Sequence, residues 1–373
     1  MLFTRLVTGF AALLLAGCTS SGVFGPAKVS ESGPVLELIG YAELPTGTLF
    51  HGTEVGGLSG LTFDSKGQVY YAISDDRSEH APARFYTLAL DLTAESFDEG
   101  NLRILAVTTL QQNGEPFAED TLDPEGIAWV PGQGIFISSE GNARKAIAPF
   151  VRRFDRTGEQ IAELPVPEKF LPDGNRTYGV RNNLGFEGLS FDPETRLLWV
   201  ATENALAQED AKADLDRPSS VRLLAYDLAA GGTPREVHYR VDPVAEEPSP
   251  FDDYRTAGLV ELMASGDGRF LFLERSYSAG AGTTVRLYQA SLDQAPDISS
   301  LPMAEAGSPV EKSLVADLDT FGVPMDNLEG MALGPRLGDG RRFLVVVSDN
   351  NFLPEQRNLI MVFALRWPVE GAR

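Results

Sequence analysis

The sequence predicts an all-β fold, a β-propeller of four-stranded blades, on three observations: a motif repeated five times, a strand pattern repeated after each copy, and no long helical periodicity. The copies are Gly57-Leu-Ser59-Gly-Leu-Thr-Phe63, Asp123-Pro-Glu125-Gly-Ile-Ala-Trp129, Gly185-Phe-Glu187-Gly-Leu-Ser-Phe191, Leu259-Val-Glu261-Leu-Met-Ala264 and Asn327-Leu-Glu329-Gly-Met-Ala-Leu333. Their anchors at 59, 125, 187, 261 and 329 lie 66, 62, 74 and 68 residues apart.

Each element follows in order from this repeat. The motif opens a short apolar strand, which a turn ends: Asp64-Ser-Lys-Gly67, Pro131-Gly-Gln-Gly134, Asp192-Pro-Glu-Thr195, Gly266-Asp-Gly268 and Gly338-Asp-Gly340. A second strand comes next, at Val69 to Ser74, Ile135 to Ser139, Leu197 to Thr202, Phe270 to Leu273 and Phe343 to Ser348. Third strands are predicted at 84–90, 150–155, 221–227, 284–290 and 359–365, and fourth strands at 103–110, 160–166, 235–241 and 313–318. The fifth unit has no fourth strand, while Val35 to Tyr41 is a strand without a unit. Donating it to the last blade closes the ring and removes a bare sheet edge. Five blades result. A sixth would require an irregular blade within 208–219 or 243–254.

Ahead of the propeller, Arg5 and the apolar run Val7 to Leu15 form an export signal too short to span a bilayer. Leu15-Ala16-Gly17-Cys18 resembles a bacterial lipobox, so residues 1–17 are expected to be a lipoprotein signal peptide and Cys18 the lipidated residue. Residues 18–34 read as a tether and 35–373 as the propeller. Position 19 is Thr rather than Asp, which by resemblance to enterobacterial lipoproteins implies the outer membrane facing the periplasm, with the lipid as the only membrane contact expected. Cys18 is the one cysteine, which excludes a disulfide framework and a multi-Cys metal site.

A net charge of −22 would repel a nucleic-acid backbone and argues against nucleic acid as a partner; a small anionic ester is the expected substrate, and a monomer is the expected state. His51, His80 and His238 have no paired spacing, which disfavours zinc and a histidine-based nucleophilic mechanism. No Gly-x-Ser-x-Gly elbow, P-loop or Arg-His-Gly motif occurs.

In a propeller the start of strand one and the end of strand two share a face. That face would carry Ser59, Glu125, Glu187, Glu261 and Glu329 with Asp75-Asp76, Glu140, Glu203-Asn204, Glu274 and Asp349-Asn350. Like charges about 4 Å apart repel by about 1 kcal/mol even in water. Protonation or a cation must compensate them. Calcium, with roughly six to eight oxygen ligands, suits such a set. The metal candidates are Asp75, Asp76, Glu125, Glu140, Glu187, Glu203, Asn204, Glu261, Glu329 and Asp349; Asn142, Asn182 and Asn183 offer further oxygens. The alternative is that the Glu of each Glu-Gly step accepts backbone N–H bonds that lock neighbouring blades. Arg77, Arg144, Arg181 and Arg275, with Asn182, are candidates to hold an anionic substrate, or else salt-bridge partners of the acids.

The Glu-Gly steps, with Ser-Asp-Asp (74–76), Ser-Glu-Gly-Asn (139–142), Thr-Glu-Asn (202–204) and Ser-Asp-Asn-Asn (348–351), resemble the phytase-like propeller family described as "esterase-like activity of phytase". The resemblance runs from Val35 to Arg366. It implies a propeller and, by analogy with calcium-dependent propeller phytases, phosphate-ester hydrolysis. The dense Lys/Arg set that phytate would need is missing. The expectation is therefore a calcium-dependent hydrolase of small phosphate or carboxylate esters, with Glu125, Glu187 and Glu329 as catalytic metal-holding acids. A non-catalytic binding propeller and a metal-dependent lactonase are the alternatives.

Overall fold

The computed structural model describes residues 33–93 and 96–368. The signal segment, Cys18 and nearly all of the tether lie outside the described residues. Five four-stranded antiparallel sheets account for the fold; the other regular elements among the described residues are two short two-stranded ribbons, Leu49–Phe50 with Thr53–Glu54 and Gln111–Gln112 with Glu115–Pro116, and short 3-10 turns. Blade 1 comprises Leu58–Asp64, Val69–Ser74, Arg84–Leu90 and Leu102–Thr109. Blade 2 comprises Pro124–Val130, Gly134–Ser139, Phe150–Phe154 and Gln160–Glu163. Blade 3 comprises Phe186–Phe191, Leu197–Thr202, Ser219–Asp227 and Arg235–Val241. Blade 4 has longer strands, Arg255–Gly266, Arg269–Ser278 and Gly282–Ser291, before Lys312–Asp317. In blade 5, Asn327–Arg336, Arg342–Asp349 and Asn358–Arg366 are joined by the N-terminal strand Val35–Leu44, which pairs antiparallel with Asn358–Arg366.

Stability comes from the surfaces between blades. Five apolar clusters each fill one interface: Ile73 with Ile127 and Ile137 between blades 1 and 2, and Phe186 with Val151 between 2 and 3. Trp199 meets Phe270 between blades 3 and 4, Leu273 meets Leu344 between 4 and 5, and Val345 meets Tyr86 between 5 and 1. Burying such side chains stabilises by roughly 1.5–3 kcal/mol each. The alternation of each strand supplies both its faces to these clusters. The segments 208–219 and 243–254 are mainly loops and hold no blade.

Every first strand bulges at the motif. Leu58 pairs with Ser74 but Gly60 with Ile73, so Ser59 is the extra residue; Glu329 is extra between Leu328 and Gly330. Blades 2 and 3 shift register across 125–126 and 187–188. A bulge re-aims the residue it inserts, here toward the channel. The glycine that follows abuts the next blade: a Cβ on Gly126 would lie 2.5 Å from the Glu187 carbonyl oxygen, and one on Gly188 2.6 Å from the Glu261 Cα.

Candidate metal centre

The bulges set which residue of each blade reaches the channel mouth. In blade 4, Leu259 pairs with Glu274 and Glu261 with Leu273, so the inserted residue is Val260. The equivalents are therefore Ser59, Glu125, Glu187, Val260 and Glu329. On the second strands Ser74, Ser139, Thr202, Glu274 and Ser348 are the paired residues, and the next residues are Asp75, Glu140, Glu203, Arg275 and Asp349.

These side chains converge. Asp75, Asp123 and Glu125 each place a carboxylate oxygen within 4.8 Å of the others. Asp123 enters from two residues before the blade-2 anchor, is 2% exposed, and its Oδ1 receives no hydrogen bond. Burial, together with Asp123 and Asp349, holds the Asp75 carboxyl well above the ordinary range. Burial, then Asp75 and Glu187, does the same to Glu125. Glu140, raised by burial and by Asp123, accepts the Gly185 N–H at 3.1 Å. Across the mouth, burial and the neighbouring Glu203 and Glu329 raise Glu187. Burial also raises Glu329 and Asp349. Glu203 is pushed up to about 7 by burial, against the pull of Arg275.

Two guanidiniums serve this ring. Arg77 Nη2 lies 2.5 Å from Asp123 Oδ2 and 3.6 Å from Glu140 Oε1. Arg275 bonds Glu329 and Asn327 through Nη1 and lies 3.4 Å from Glu203 through Nη2. Beside the acids, Arg77, Asp120, Asp123 and Asn142 line a shallow recess.

Several expected residues lie elsewhere. Asp76 faces outward: it pairs with buried Arg84 at 2.6 Å and accepts the N–H groups of Glu79, His80 and Ala81. Glu261 sits where the other blades have glycine, and its carboxylate accepts N–H bonds from Leu262 and from Leu189 and Met331 on the flanking blades. It is a lock between blades and no part of the ring. Asn204 spends its amide on the Ala257 carbonyl and on the N–H groups of Ala205 and Ala213. Glu274, one residue out of phase with the mouth, bonds Tyr239 and Lys312. Arg181 is committed to the carbonyls of Ala205 and Asp210. Arg144 is exposed, and Asn182 accepts its N–H at 3.3 Å and bonds Asn183.

Sequence reading passed over Asp123 as a ligand. Its signal is the polar residue two before the anchor, which recurs as Asn327, whose amide reaches Glu329 at 3.0 Å.

A family model, phytase-like, described as esterase-like activity of phytase, matches residues 53–352. An uncharacterized secreted protein of Arthroderma benhamiae is 26% identical over 190 residues, which are 43% of this chain and 35% of that protein. Among solved structures, a xylan β-1,4-xylosidase of Bacillus halodurans is similar at 11% identity and a TM-score of 0.43, covering 91% of this chain and 54% of that one. The allergen Mala s 1 of Malassezia sympodialis is similar at 11% identity and a TM-score of 0.36, covering 91% and 80%. Neither likeness carries an inference about this chain.

Proposed function

The chain belongs to the phytase-like family described as esterase-like activity of phytase, and from that premise we propose that it is a calcium-dependent hydrolase of small phosphate or carboxylate esters at the cell envelope. The carrying observation is the convergence of Asp75, Asp123 and Glu125 within 4.8 Å, with an Asp123 oxygen that no N–H or hydroxyl donor satisfies. Crowded carboxylates with an oxygen left unsatisfied fit a hard cation with oxygen ligands. Nitrogen and sulfur ligands are missing from the cluster, which disfavours zinc. When bound, the cation would supply Lewis acidity and a more acidic water.

The chain's own groups would do the rest. Arg77, a quarter exposed at its side chain, lines the recess beside Asp123, where it can orient an anionic group. Exposed Arg144, two residues after the recess-lining Asn142, would add positive charge near that recess. Glu203, with its carboxyl pushed up to about 7, can take or give a proton near neutral pH. Glu187 and Glu329 complete the acidic wall facing it. The acids also repel a densely charged substrate, which favours esters with one or two negative charges over a polyphosphate.

An envelope location rests on the export signal and lipobox at residues 1–18; the fungal relative is described as secreted. Among the described residues no helix is long and apolar enough to cross a membrane.

The test is hydrolysis of p-nitrophenyl phosphate, its diester, p-nitrophenyl acetate and a lactone, with calcium and with a chelator. Turnover of a phosphate ester or the acetate that disappears on chelation supports the proposal. Turnover that survives chelation removes calcium from it, lactone turnover alone moves the activity to that class, and inertness toward all four leaves a binding propeller.

A further inference from the structure

Blade 4 interrupts the ring of acids. Its bulge presents Val260 where blades 2, 3 and 5 present glutamates, and its second strand presents Arg275 where the other four blades present Asp75, Glu140, Glu203 and Asp349. The Arg275 guanidinium reaches both neighbours, Glu203 on blade 3 and Glu329 with Asn327 on blade 5. It also acts as counter-charge to Glu187 and Asp349. The acids of blades 3 and 5 therefore already have a cation, held in place by the fold.

Blades 1 and 2 differ. Arg77 approaches Asp123 through Oδ2 and lies 3.6 Å from Glu140 Oε1, while Asp123 Oδ1 receives no N–H or hydroxyl hydrogen bond and a carboxylate oxygen of Asp123 lies in the group with Asp75 and Glu125. The main influences on Asp75 and Glu125 are burial and other acids. A guanidinium is a fixed single charge that neither leaves nor loses its proton, so it can neutralise a site without polarising a water.

Building on the calcium reading above, we propose that Arg275 is a built-in counter-ion standing in for a second metal, so that the chain binds one divalent cation, on Asp75, Asp123 and Glu125. Two-metal sites hold their ions about 3.5–4 Å apart to clamp both attacking and leaving oxygens. Here the Arg275 side of the mouth can offer an ester fixed charge, hydrogen bonds and the Glu203 proton but no second Lewis acid, and the chemistry is that of a single ion.

Calorimetric titration of the purified chain with calcium decides the matter. Wild type should bind one ion, Asp123→Asn should weaken it by at least about tenfold, and Glu329→Gln should keep it. Arg275→Gln, shown folded by its melting curve, should bind two. Two ions in wild type, or one in folded Arg275→Gln, overturns the counter-ion role but leaves the calcium hydrolase standing. No ion in wild type overturns both. Should Arg275→Gln fail to fold, the pair Asp123→Asn and Glu329→Gln decides: equal losses in both place the ion between the two sides and overturn the proposal.

Discussion

Asp76 sends its carboxylate to the Arg84 guanidinium and three backbone N–H groups, while Asp75, one residue earlier, directs its own toward Asp123. Burial works against ionisation of Asp76, but Arg84 and these N–H bonds win and hold it below the usual carboxylate range. Both members of the Asp76–Arg84 pair are essentially inaccessible, so removing one strands the other. Asp76→Ala should cost about 3–5 kcal/mol in urea unfolding and leave calcium affinity unchanged. Asp75→Asn should do the reverse: at least about a tenfold loss of calcium affinity, with the calcium-free protein as stable as wild type or more so, because a carboxyl group crowded by Asp123 and Asp349 is gone. Equal calcium losses in both variants would show that neighbours on a strand had been assigned to the wrong faces.

The strand-one bulge is the element that makes the site. It turns Glu125, Glu187 and Glu329 inward and brings the following glycine against the next blade. Gly126→Ala puts a methyl against the Glu187 carbonyl and Ser138 Oγ, both at 2.5 Å. It should destabilise by about 1–3 kcal/mol, whereas Gly338→Ala, with nothing within 4 Å, should stay within about 1 kcal/mol of wild type; paired urea melts compare them. The bulge also explains how far the sequence could be read. Five copies of the motif and their hairpins were legible because apolar strands and turns recur at nearly fixed spacing. Which residues blade 4 turns to the mouth was not, since its first strand offers a Glu at 261 and its second a Glu at 274, and both look like the repeated acid. Pairing moves each by one residue, and a shift of one exchanges the faces of a strand. The legible clue was the Ser/Thr before the acid at 74, 139, 202 and 348, a place that Glu274 fills in blade 4.

At the scale of the whole disc, the acids make folding oppose ionisation. Burial raises Asp75, Glu125, Glu140, Glu187, Glu203, Glu329 and Asp349 above their unfolded values. Between the ordinary and the raised value the native state binds more protons than the unfolded chain, so stability falls as pH rises through that window. For Glu203 the window runs from 4.5 to about 7. The chelated protein should therefore melt at progressively lower temperature from about pH 5 to about pH 8. The net charge of −22 pushes in the same direction by general repulsion, and two comparisons separate the local effect. Glu203→Gln should flatten the part of the slope below about pH 7 without altering the overall charge appreciably. Calcium at about a hundred times its dissociation constant should restore roughly 2.7 kcal/mol, and should do so more at high pH, where the ligands are already free of protons. Monovalent salt at equal ionic strength screens the surface but leaves buried charges largely unscreened. If salt restores the high-pH melting temperature as well as calcium does, the loss comes from the outer surface of the disc and the channel mouth is not its source.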